Sequence, residues 1–149
     1  MKSLLLSVAA VAALAASAAR AEPYVDYTPQ KGVWHVVTVK VEPSKVDDYV
    51  SELKKGWILE EEVAKKHGLI DQYEVKIKFN GSDGGGNVLL IEHIPNIGLL
   101  EVDQARDQAV EKDMLAVTPK ADTQAKVKEF DKYRTFVGDD YWTDITYTK

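Results

Sequence analysis

Residues Val33–Val41 read Val-Trp-His-Val-Val-Thr-Val-Lys-Val, a run dominated by β-branched and aromatic side chains. Such a run predicts a strand. Its faces are His35, Val37, Val39 and Val41 on one side, and Trp34, Val36, Thr38 and Lys40 on the other. The first face is the more apolar and is expected to meet a helical layer. Pro43-Ser44 then opens a helix, with Ser44 as N-cap and Asp47 three residues on. Val46, Tyr49, Val50, Leu53 and Trp57 form the stripe of an amphipathic helix running to Lys66. Gly56 falls inside this span, where glycine costs about 1 kcal/mol against alanine. His67-Gly68 supplies the helix end.

Residues 69–79 alternate Asp71, Tyr73, Val75, Ile77 and Phe79 against Gln72, Glu74, Lys76 and Lys78. That is a strand with one dry and one wet face. The segment 80–87 is rich in Gly, Asn and Asp and is expected to turn the chain. Val88–Ile94 follows as the second strand of a hairpin, apolar on both faces apart from Glu92 and His93, and is therefore expected to be central. After a loop at 95–100, Asp103 caps a helix to Val117, and Asp122 caps another over 123–135. Gly138-Asp139-Asp140 reads as a turn, and 141–148 as the last strand. The segment 22–31 contains Pro23 and Pro29 and reads as an extended arm.

This order of strand, helix, strand, strand, helix, strand is the split βαβ pattern. It predicts an α+β, ferredoxin-like fold, a four-stranded antiparallel sheet with helices on one face. The uncovered face carries Trp34, Val36 and Trp142, too much apolar surface to leave wet. A second copy, sheet against sheet, is the expected cover, so a homodimer is expected. Residues 32–149 form the single domain.

The first 21 residues have a basic start, a short apolar stretch and Ala19-Arg20-Ala21. That is the layout of a secretory signal peptide, so a periplasmic or secreted protein beginning at Glu22 is expected. Removing 1–21 takes Lys2 and Arg20 with it, leaving 17 basic against 24 acidic side chains, a net charge of about −7. A chain so acidic is not expected to bind nucleic acid. No further apolar run is long enough to span a membrane. Cysteine is absent, which excludes disulfides and thiolate chemistry.

The patterning of Val33–Val41, the helix with Trp57, the hairpin 69–94 and the closing strand 141–148 resembles the dimeric α+β barrel superfamily. That group includes antibiotic-biosynthesis monooxygenase-like and stress-responsive barrel proteins. The resemblance implies a dimer formed as an α+β barrel, with a ligand pocket between sheet and helices. It also implies activities such as cofactor-free monooxygenases on polycyclic phenols, haem-degrading enzymes and polyketide cyclases. Plant polyketide cyclases of this fold have a histidine early in the first strand, and His35 occupies the comparable place. Their Tyr and His near the second helix have no counterpart in 95–118.

The candidate chemistry follows. His35 and His93 are the expected catalytic acid or base, since imidazole titrates near neutral pH. Both are expected to line one cavity, with Tyr73, Tyr147 and Glu92 as substrate-binding residues. Adjacent strand residues point to opposite faces, so only one of Glu92 and His93 reaches the helix side. Three convergent metal ligands are therefore not expected. No tightly bound cofactor is expected. The ligand is expected to be a small aromatic or polyketide-like molecule. A non-catalytic binding protein for a hydrophobic ligand or haem, or a structural or stress-associated dimer, are the alternatives.

Overall fold

The computed structural model describes residues 21–80 and 85–148. The signal-peptide reading over 1–20 and the tip of the glycine-rich turn lie outside them. In chain order the elements are β1 (Tyr27–Pro29), β2 (Val33–Val41), α1 (Val46–Leu53), α2 (Trp57–Lys66), β3 (Gln72–Ile77), β4 (Val88–Ile94), α3 (Gln104–Val117), α4 (Lys120–Phe130), β5 (Arg134–Trp142) and β6 (Ile145–Tyr147). Four strands form one antiparallel sheet in the order β3-β4-β2-β5. Strands β2 and β3 run parallel with β4 between them, consistent with a ferredoxin-like α+β fold. As expected, β4 is central. It spans the predicted residues, and its register sets Val39 opposite Val88, Val37 opposite Leu90 and His35 opposite Glu92.

The face of β2 that carries Val37, Val39 and Val41 meets the helices. Val39, Val41, Val88 and Leu90 pack against Tyr49 and Leu53 of α1 and Phe130 of α4. A second cluster joins Ala64 of α2, Ile70 and Ile94, with Met114 of α3 against it.

Several expectations are corrected. The helix predicted over 44–66 is two helices. At the break, the Leu59 amide bonds to the Gly56 carbonyl, and Lys126 Nζ of α4 donates to the Lys55 carbonyl. In an unbroken helix the Lys55 oxygen would have received Leu59. Gly56 is thus the residue before α2, not a mid-helix packing residue. Ser44 lies in a 3₁₀ turn, Pro43–Lys45, and caps nothing. Pro119, not Asp122, precedes α4, and the helix stops at Phe130. The edge strand β3 is shorter than predicted, and Phe79 beyond it is fully exposed. Asp103 does cap α3, accepting the Arg106 amide.

The largest correction concerns the C-terminal strand. The sheet's fourth strand is Arg134–Trp142, and Gly138-Asp139-Asp140 lies inside it rather than in a turn. Ile145–Tyr147 leaves the main sheet and pairs with β1 of the arm. The polar trio hid the strand because it interrupts the apolar alternation where one residue is also inserted. Val39 pairs with Phe136 but Thr38 pairs with Gly138, so Val137 is the extra residue of a bulge. The bulge puts Phe136 and Asp139, three residues apart, on the same face.

Candidate functional site

His35 stands on the helix-facing side of β2, two residues before Val37. The register places Glu92 across from it on β4 and Tyr141 across from it on β5. Its Nδ1 lies 2.7 Å from Glu92 Oε1, and its Nε2 lies 2.7 Å from Asp139 Oδ1. Tyr141 stacks on the imidazole with centroids 4.6 Å apart and planes 11° apart. Both nitrogens face carboxylate oxygens, so both bonds form only when both nitrogens carry a proton. Burial is the largest single influence on the ring and opposes its charge. The bonds to Glu92 and Asp139 together outweigh it and raise the His35 pKa above its ordinary value.

The two carboxylates differ in setting. The Glu92 side chain is largely enclosed, whereas that of Asp139 is 72% exposed. Behind Glu92 lies Glu61 of α2, only 6% exposed. Burial first, then the charge and hydrogen bond of Glu92, push the Glu61 carboxyl up to about 9. Glu61 is therefore a neutral acid at pH 7 and donates to Glu92, while its buried Oε2 has no hydrogen-bond partner. The result is a row of groups, Glu61, Glu92, His35 and Asp139, running from beneath α2 to an open edge.

Tyr73 lies opposite Glu92 on β3. Its hydroxyl donates to Glu62, and its ring meets Trp57 edge-on at 5.8 Å. Two expected members lie elsewhere. His93 points to the other side of the sheet, where its ring sits 4.7 Å from Trp34 and its Nδ1 lies 2.6 Å from Asp71 Oδ1. The strict alternation of β4 makes it impossible for Glu92 and His93 to share a face, so His35 and His93 do not line one cavity. Tyr147 belongs to β6, outside the main sheet, and is exposed. His67, at the end of α2, pairs with Asp113.

Glu61, Asp139 and Tyr141 were not anticipated as site members. For Glu61 a signal existed. It follows Trp57 by four residues and precedes Ala64 by three, so it falls on the buried stripe although it belongs to the run Glu60-Glu61-Glu62. Asp139 had no such signal, because the bulge that aims it is not visible in the residue pattern.

Beside this row, on the same side of the sheet, lies a cavity of about 570 Å³. Val37 and Leu90 line it, each one step along its strand from His35 and Glu92, about 7 Å by strand geometry. Leu53, Trp57 and Phe130 close it from the helices. Among the described residues no group of three or more His, Asp or Glu is placed to hold a metal ion. No helix among them is long and apolar enough to cross a membrane. Comparison with known proteins found no matching family model, and no significantly similar curated protein or solved structure.

Proposed function

We propose that the protein is an exported, homodimeric, cofactor-independent acid–base enzyme. It acts on a small aromatic or polyketide-like molecule held between sheet and helices. The observation that supports this most is the His35 imidazole bonded at 2.7 Å to a carboxylate on each nitrogen, beside an apolar cavity. Glu92 holds Nδ1 and fixes the ring. Asp139 is the exposed partner and moves aside most readily. Imidazolium Nε2–H then protonates an oxygen of the substrate as negative charge develops there. The freed Asp139 carboxylate is placed to take a proton from carbon. Neutral Glu61 donates to Glu92 and keeps that carboxylate from drawing the proton off the ring. This pairing serves isomerisation, ring closure or lyase chemistry through an enol or enolate.

The test is solvent exchange into a simple carbon acid. In D₂O, 2-tetralone should exchange its α-protons faster with the wild-type protein than with His35→Ala, by about 10²-fold or more. Equal exchange by the two proteins would end the enzymatic reading. One observation favours a second reading. The cavity is lined mainly by apolar side chains and His35 lies beside it rather than in its wall. That arrangement also suits a carrier of a small hydrophobic molecule.

A further inference from the structure

We infer that the cavity between sheet and helices takes an amphipathic anion, a carboxylate on an alkyl or aromatic body, with its charged end received by Arg134. This rests on the cavity being a ligand site, as proposed above, and not on proton transfer at His35.

Arg134 opens β5 opposite Val41 and lines the cavity. Its side chain is only 9% exposed. The guanidinium carbon lies 4.7 Å from the ring centre of Phe136, 4.9 Å from that of Phe130 and 5.6 Å from that of Tyr49. Rings can stabilise a cation but do not accept its five N–H donors in good geometry. The polar contacts within the protein are few. Nη1 donates to the Tyr49 hydroxyl at 3.2 Å, and the exposed Asp131 carboxylate stands 3.6 Å from Nε. Nε itself is buried without a hydrogen-bond partner. A buried guanidinium with spare donors is a costly arrangement unless an acceptor arrives. A carboxylate is the acceptor whose geometry matches the fork.

The other charged groups on the cavity wall are largely committed. Lys55 pairs with Glu52, Lys126 donates to the Lys55 carbonyl, and Glu60 accepts from Thr118. Asp122 also contributes to the wall and adds negative charge. The cation at the apolar end is therefore Arg134. From the register of Arg134, opposite Val41, to Val37 is four residues of β2, about 13 Å. The guanidinium stands over Phe136, opposite Val39, so a body with its head there runs toward Val37 and Leu90, the end beside His35. The ordering fits a substrate anchored by an anionic tail with its reacting part toward the imidazole.

The test uses fluorescent N-phenyl-1-naphthylamine, an uncharged aromatic, displaced by decanoate or by 1-decanol. Decanoate should bind wild-type protein about 10- to 100-fold more tightly than decanol, the difference one buried charge-assisted contact makes. Arg134→Met should bring the two to parity, each affinity being read relative to that variant's own affinity for the fluorophore. Arg134→Lys, which keeps the charge should the methionine variant fail to fold, should retain a preference for decanoate. His35→Ala should leave the preference intact, which separates this inference from the acid–base reading. Equal affinity in the wild type, preference persisting in Arg134→Met, or no binding of the fluorophore would each overturn it.

Discussion

At the scale of single residues, Glu61 is a carboxyl kept neutral by its surroundings, and this has a measurable sign. Its pKa is 4.5 in the free state and about 9 in the fold, through burial first and the neighbouring Glu92 second. Between those values the folded chain holds a proton that the unfolded chain has lost. The contribution of Glu61 to stability is then fully present below pH 4.5 and is lost as pH rises toward 9, by up to about 1.4 kcal/mol per pH unit. Glu61→Gln keeps a donor for Glu92 but has no proton to lose. It should match the wild type near pH 5 and exceed it near pH 8 by on the order of 3 kcal/mol. Urea unfolding at both pH values measures this, and parallel pH dependences would refute the neutral carboxyl. His35 runs with the same sign for a different reason. Its raised pKa means that its pairing with Glu92 and Asp139 contributes fully below the ordinary histidine value. That contribution is lost as pH climbs through the raised one.

At the scale of elements, the bulge in β5 absorbs one extra residue and so keeps the site in register. Phe136, Asp139 and Tyr141 share the helix-facing side only because Val137 is taken out of the ladder. Deleting Val137 should therefore leave all three where they are, since Phe136, Gly138 and Asp139 would then alternate without interruption. The deletion variant should fold and keep a raised His35 pKa, read from the imidazole carbon proton by NMR. A His35 titrating at its ordinary value would show that the bulge does more than absorb one residue. This element also marks the limit of what the sequence discloses. The strands β2 and β4 were legible because alternation and β-branched residues mark a half-buried ladder, and α3 because Asp103 supplies a cap. The placement of His35 on the helix side followed from the same pattern, and the adjacency of β2 and β4 is what the split βαβ order implies. Strand β5 was not legible. Arg134 and Phe136 resemble the tail of the preceding helix, and Gly138-Asp139-Asp140 has the composition of a turn. The split of the first long helix was equally hidden, because Lys126 takes the Lys55 carbonyl from 71 residues away.

At the scale of the whole molecule, the helices cover one side of the sheet, and the second copy proposed above would cover the other. Trp34 pairs with Trp142, and Val36 with Ile91, on that side. Trp142 is 61% exposed in the single chain. His93, edged against Trp34, belongs to this face too and lies outside the cavity, so a seam formed there would take it in. An isologous sheet-to-sheet contact would bring these residues against their own copies and close two sheets into one barrel. Its cover would leave the cavities of the two subunits on opposite outer sides, each with its own His35. Under the export proposed above, the protein should be recovered outside the cytoplasm with the intact mass of a chain beginning at Glu22, and under the dimer proposed it should sediment as a dimer at micromolar concentration. Trp142→Glu should sediment as a monomer, because an unpaired charge in a dry contact costs several kcal/mol. It should keep its fold, since Trp142 lies at the exposed end of β5 and packs into neither core cluster. A wild-type monomer would refute the dimer, and a Trp142→Glu dimer of undiminished affinity would place its seam elsewhere.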